Sequence, residues 1–178
     1  DEWRVRPGLT VNAGLRYDRS QMIWGEQQFS PRVGVAYYVA RTQTVLRASF
    51  NRLFQPPQIE NLLLGASAAA RHLSPFEDAT GGGAPILAER TSAYEIGFAQ
   101  DFKSLVRLDV ALWRRTFRNV NDPNVLFSST IIFPNNVASG WANGVDVRLD
   151  VPERRGWSAY ASYTNARTLQ TGPLNGGL

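Results

Sequence analysis

The chain has 178 residues, a net charge of +4, no cysteine and a single histidine, His72. Those counts remove thiol nucleophiles, disulfide staples and Cys-based zinc sites, and leave little for a histidine metal cluster or catalytic dyad. Mean hydropathy is −0.26, and the longest apolar cluster, Leu62 to Ala70, is broken by Gly65 and Ser67; a helical multi-span membrane protein is excluded, whereas a β-barrel, with only alternate residues toward lipid, is not.

The positive charge is almost all arginine, eighteen residues against Lys103 alone. This excess fits a GC-rich coding sequence. It also fits arginines that line a wet lumen or meet anionic lipopolysaccharide, where bidentate pairing suits carboxylate and phosphate. The arginines are scattered through strand-like segments and form no basic helix or stripe, so nucleic-acid binding is not expected.

Asp1 to Arg6 reads as the tail of a strand and Pro7-Gly8 as its turn. In the second strand, Leu9, Val11, Ala13, Leu15 and Tyr17 alternate with Thr10, Asn12, Gly14, Arg16 and Asp18, the period-two signature of a two-faced strand. A polar connection over Arg19 to Gln28 leads to a third strand, Phe29 to Val39. Ala40 to Gln43 turns into a fourth, Thr44 to Phe54, stopped by Gln55-Pro56-Pro57. The next connection, Gln55 to Glu89, includes a short helix near Gln58 to Leu64 with Pro57 at its first position. Arg90 to Phe102 and Leu105 to Arg118 form a hairpin around Lys103-Ser104. Asn119 to Ala138 is another long connection, followed by strands Ser139 to Val151 and Trp157 to Thr168 about a turn at Pro152 to Gly156.

The connections alternate short and long, the long ones running to about 10, 35 and 20 residues, which is how outer-membrane barrels distribute periplasmic turns and outer loops. The expected fold is therefore all-β: eight antiparallel up-and-down strands of a larger transmembrane barrel, forming a curved open sheet. Its lumen face carries Arg32, Arg47, Asn51, Glu95, Arg107, Asp109, Asp146 and Arg148. Aromatic residues mark both strand ends: Tyr17 and Phe29 beside an outer loop, Tyr37, Phe102 and Trp157 beside inner turns. Aromatics are also simply common in strands.

Other motifs are weighed against plainer readings. Glu89 and Glu95 are too far apart along a strand for a carboxylate pair, and Glu95 is expected to pair with an arginine such as Arg107. His72 has no nucleophile-elbow context. Gly81-Gly82-Gly83 does not join a strand to a helix as a phosphate cradle does. Asn121, Asp122 and Asn124 beside Pro123 read as turn formers more readily than as a calcium loop. In the long connection, Arg71, His72 and Phe76 are candidate ligand contacts, as outer loops on a rigid scaffold commonly carry recognition.

Ser30-Pro31-Arg32-Val33-Gly34-Val35-Ala36-Tyr37 and Leu46-Arg47-Ala48-Ser49-Phe50-Asn51-Arg52-Leu53-Phe54-Gln55-Pro56-Pro57 resemble the barrel domain of TonB-dependent receptors. Leu87-Ala88-Glu89-Arg90 leading to Tyr94-Glu95-Ile96-Gly97, Phe117-Arg118-Asn119-Val120, Asn143-Gly144-Val145-Asp146 and Tyr160-Ala161-Ser162-Tyr163-Thr164 continue the resemblance in the family's order. The resemblance implies residues 1–178 as part of a plugged barrel of about 22 strands in a Gram-negative outer membrane. It also implies, as partners, outer-membrane lipid and lipopolysaccharide, the protein's own plug domain, expected N-terminal to this piece, and TonB, contacted through that N-terminal region. The implied activity is energised uptake of a scarce ligand, with no catalytic residue and no cofactor; the closing C-terminal strand is expected beyond this piece. A secreted glycan-binding module would instead bury apolar faces against each other, and a passive porin would carry the same strands without a plug.

Overall fold

The computed structural model describes residues 1–23, 25–67, 86–122 and 135–171. Eight strands run in chain order: β1 (Glu2–Arg6), β2 (Leu9–Gln21), β3 (Gly25–Val39), β4 (Thr44–Gln55), β5 (Glu89–Phe102), β6 (Val106–Asp122), β7 (Asn135–Arg154) and β8 (Trp157–Thr171). One helix, α1 (Ile59–Ala66), lies in the connection between β4 and β5. The strands form a single antiparallel sheet in the order β1 to β8, with β1 and β8 as its open edges. This is the up-and-down sector expected from the alternation.

The tight turns have clear local causes. Gly8 sits at φ +79° and accepts a hydrogen bond from the Tyr38 amide at 2.7 Å; a Cβ there would meet the Tyr38 carbonyl oxygen at 2.7 Å. Between β5 and β6, Lys103 and Ser104 take φ of 51° and 57°, and the Leu105 amide donates to Phe102. Between β7 and β8, Arg155 and Gly156 take φ of 52° and 80°. Two successive left-handed residues make the type I′ geometry, whose twist matches that of the flanking strands.

Strands are longer at the opposite end than the sequence pattern indicates. Of the stretch Arg19 to Gln28, expected as a connection, Arg19 to Gln21 and Gly25 to Gln28 continue the ladder, down to the pair Gln21 and Gly25. These paired residues carry no apolar side chain on either face, so hydropathy does not mark them, yet the backbone groups still satisfy one another across the hairpin. Similarly β6 extends to Asp122 and β7 starts at Asn135, with Asn121 paired to Asn136 and Asp122 to Asn135. The expected turn-forming role of Asn121 and Asp122 is thus corrected to strand pairing. Pro57 is corrected as well: α1 begins at Ile59, and the Leu62 amide donates to Gln58, so Pro57 precedes the helix.

Directly paired residues share a face, so the register sorts side chains across the whole sheet. Leu9, Tyr37, Leu46, Phe98, Val110, Val147 and Tyr163 form one row of a face we call apolar. Thr10, Ala36, Arg47, Gly97, Ala111, Asp146 and Thr164 form a row of the opposite, polar face. Burial runs against the pattern of a water-soluble domain. On the apolar face Leu15 is 69% exposed, Ile96 59% and Leu112 52%; on the polar face Gln28, Ser30 and Thr91 are at most 9% exposed. Among the described residues the buried hydrophobics are Leu62, Ile86, Ala88, Ala99 and Ala111, and none of these stands on the apolar face. Among the described residues no second layer covers that face. The chain accordingly exposes 12292 Å², against about 8,600 Å² for a compact monomer of this mass.

Candidate functional site: the polar face of the sheet

Arg32, Arg47, Asn51, Glu95, Arg107, Asp109, Asp146 and Arg148 all fall on the polar face by register. Arg71, His72 and Phe76 lie outside the described residues, as do Gly81 to Gly83 and Asn124.

Arg47 is the centre of a three-strand network. From β4 its Nη1 and Nη2 donate to Asp109 Oδ2 and Oδ1 on β6 at 2.9 and 2.6 Å, a bidentate fork, while Nε donates to Glu95 Oε1 on β5 at 3.2 Å. To reach β6 the guanidinium must cross β5, and it does so over Gly97, the direct partner of Arg47. A Cβ on Gly97 would stand 3.0 Å from Arg47 Cζ and 2.7 Å from the Val110 carbonyl oxygen. Ala99 and Ala111 keep the neighbouring positions low and are nearly fully buried. A glycine and two alanines thus form a floor on which one arginine bridges two carboxylates. All three charged side chains are partly buried, at 30% exposure for Arg47, 42% for Glu95 and 28% for Asp109. Each such charged hydrogen bond contributes on the order of 1 kcal/mol or more, and the bidentate geometry fixes orientation as well.

Glu95 therefore does not pair with Arg107, which was the expectation. The turn at Lys103-Ser104 sets the β5–β6 register so that Glu95 faces Trp113 and Arg107 faces Asp101. Arg107 also stands opposite Asp150 on β7. Glu95 and Arg107 are thereby separated by six residues of ladder, about 20 Å.

Toward the tight turns, Arg148 donates from Nε and Nη2 to Asp150 at 2.8–2.9 Å, two positions along its own strand, and lies opposite Asp109. Toward the other end, Arg16 pairs with Asp18 at 2.6 Å, and Asp18 accepts from Ser30 at 3.3 Å. Gln28 donates to Ser30 and to the Leu53 carbonyl oxygen. Glu26 accepts from the Ala88 amide at 2.5 Å and from Arg90 at 3.2 Å, and Asn119 donates to the Ala88 carbonyl at 3.4 Å. The segment leaving the long connection is thus held on both sides, by β3 and by β6.

Asp18, Glu26, Gln28 and Ser30 were absent from the expected site because they were read as connection or strand margin; the unbroken alternation from Arg16 to Ser20 is the signal that marks Asp18. Trp113 and Phe117 also occupy this face, lying over Gly144 and Gly140, where an added Cβ would stand 2.5 and 2.2 Å from their rings. The site is an ion-paired, small-floored polar wall, and among the described residues it holds no nucleophile–base geometry. Among the described residues no group of three or more His, Cys, Asp or Glu is placed to hold a metal ion.

No curated protein sequence matches the chain. Solved structures match its fold. The alcaligin outer-membrane receptor FauA of Bordetella pertussis has 20% identity and a TM-score of 0.60, over 98% of this chain and 30% of that one. The siderophore receptor PirA of Pseudomonas aeruginosa has 18% identity and a TM-score of 0.68, over 95% and 33%. The pyoverdine outer-membrane receptor FpvA of Pseudomonas aeruginosa has 16% identity and a TM-score of 0.64, over 95% and 24%. The chain spans about a third or less of the length of these receptors. With the family model for the TonB dependent receptor-like β-barrel matching residues 1–177, the chain belongs to that family of outer-membrane receptors.

Proposed function

We propose that this sheet is a sector of a closed outer-membrane barrel in a Gram-negative bacterium, and that the barrel imports a scarce ligand with energy transmitted through TonB. The observation that carries the reading is the inverted burial: exposed apolar side chains on one face, and buried or partly buried, ion-paired polar side chains on the other. A bilayer supplies the missing apolar cover, and closure with further strands satisfies the backbone groups at the edges of β1 and β8.

In this reading Arg32, Arg47, Asn51, Glu95, Arg107, Asp109, Asp146 and Arg148 line the lumen and face the plug domain. The Arg47–Glu95–Asp109 network presents polar atoms to water and gives each of its three charged groups a partner, so a plug can seat against it without burying an unpaired ion. The connections at 22–24, 56–88 and 123–134 face outward, with Arg71, His72 and Phe76 in the ligand-capturing loop. The turns at Pro7-Gly8, Lys103-Ser104 and Arg155-Gly156 face the periplasm.

Epitope tags test this topology in intact cells. A tag inserted at Gly82 should be reached by antibody from outside, and one at Ser104 only after permeabilisation. Surface access at Ser104 would reverse the topology or defeat the barrel. A secreted module would need a buried apolar core, and the apolar face contributes none of the buried hydrophobic residues.

A further inference from the structure

Strands β3 and β4 pair without a break from Val39 and Thr44 up to Arg32 and Asn51, and there their ladder stops. Beyond that pair β3 runs on to Gly25 as the partner of β2, and β4 runs on to Gln55 as the partner of β5. The sheet thus divides at the end away from the tight turns into two bodies, β1 to β3 and β4 to β8, with a seam between them.

Three bonds close the seam, each with a side chain at one end. Continuing the register would set Ser30 opposite Leu53; instead the Leu53 carbonyl oxygen accepts from the Gln28 side chain at 3.0 Å. Glu26 makes the other two, accepting from the Ala88 amide at 2.5 Å and from Arg90 Nη2 at 3.2 Å. Arg90 is rooted on the apolar face, between Phe54 and Arg118, whereas Glu26 is rooted on the polar face, opposite Ser20. The two meet across the open end of the seam. On its outward side the seam is a cavity of about 420 Å³ lined by Tyr17, Gln27, Gln28, Phe29, Arg52 and Arg90.

Closure carries a cost. Gln28 is 5% exposed and Ser30 2%, yet Gln28 Oε1 and Arg90 Nε are buried with no hydrogen-bond partner among the described residues. A buried polar atom left unsatisfied costs about as much as one or two ordinary hydrogen bonds return, so the closed form is held by a small margin. Opening the seam breaks no ladder bond and hydrates both atoms. The same bonds pin the chain as it leaves the long connection. Ala88, fully buried, gives its amide to Glu26 on β3 and its carbonyl oxygen to Asn119 on β6, and Ile86 beside it is buried too.

We propose that Glu26 is a releasable clasp. When it lets go of Ala88 and Arg90, β3 parts from β4 beyond the Arg32–Asn51 pair and the segment 86–88 leaves the wall, while the ladder below stays intact. The bonds described here form the clasped state. The clasp follows from the register and contacts of the sheet and holds whatever ligand the barrel carries.

The test uses the whole protein that contains this chain, purified in nonionic detergent, with Ser30→Cys as the reporter. A thiol at that buried position is shut inside the seam, so its reaction with a small maleimide reads opening once labelling of the parent protein is subtracted. The reaction should proceed without denaturant, at a rate that low urea barely changes, because a local opening exposes little surface. Adding Glu26→Ala should speed it about tenfold or more, and Glu26→Gln, which keeps an acceptor for the Ala88 amide, should speed it less. Adding Thr171→Ala, which removes a side-chain bond to Ser139 between β7 and β8, should leave the rate unchanged. Equal rates with and without the Glu26 side chain would overturn the proposal. So would a rate in Ser30→Cys alone that climbs with urea as steeply as global unfolding, a measurement that needs no change at the clasp.

Discussion

Replacing Val110 by arginine probes the assignment of the apolar face most directly. Val110 is the third outward residue of β6 and pairs with Phe98 and Val147, both apolar. Four residues above Val106, it stands about 10 Å into a band of about 25 Å, close to the bilayer midplane. An arginine there should cost about 2–4 kcal/mol, roughly a 30- to 700-fold fall in the folded-to-unfolded ratio. The cost is depth-dependent, so Val106→Arg at the near margin should cost only about 0–1 kcal/mol and Arg114→Leu at the far margin about as little. Thr164→Arg supplies the face control. Thr164 stands opposite Asp146 on the polar face, and an arginine there gains a cross-strand carboxylate, leaving stability within about 1 kcal/mol. Reversible urea unfolding of the whole protein in phospholipid vesicles reads all four. If Val110→Arg is tolerated as well as Thr164→Arg, or if the cost does not fall toward the ends of β6, the apolar face does not meet lipid.

Gly97→Val should displace Arg47 from the β5 floor and break its fork to Asp109, since the added Cβ meets Arg47 Cζ at 3.0 Å; the expected cost is about 2 kcal/mol or more, read by the same unfolding assay, and a neutral result would refute the floor. Arg47→Met should leave Glu95 and Asp109 uncompensated and destabilise more than Asp109→Asn, which keeps a hydrogen-bonding partner; the reverse order would show that the network is not centred on Arg47. Gly8→Ala should cost about 1–2 kcal/mol, because φ is +79° and the Tyr38 carbonyl oxygen closes the space for a Cβ. The 178-residue chain expressed alone in water should aggregate or require detergent, and a monodisperse monomer with a cooperative thermal transition would defeat the membrane reading.

The period-two alternation alone fixed the number of strands, their two faces and the eight charged or amide residues that share the polar face, because side-chain direction in a strand is set locally. Turn residues did the same for Pro7-Gly8 and Lys103-Ser104, where backbone twist limits what fits. Strand ends beyond the apolar band escaped that logic: Arg19 to Gln21 and Gly25 to Gln28 have no apolar face, and only pairing across the hairpin shows them to be ladder. The partner of Arg47 escaped it for a different reason. Arg47 and Asp109 belong to strands separated by the connection 56–88 and a further strand, and their approach depends on the β4–β5 register and the bare backbone of Gly97. Alternation tells each residue which way it faces; only the assembled sheet decides what stands beside it and at what level, since those distances depend on the register between strands that are remote in sequence.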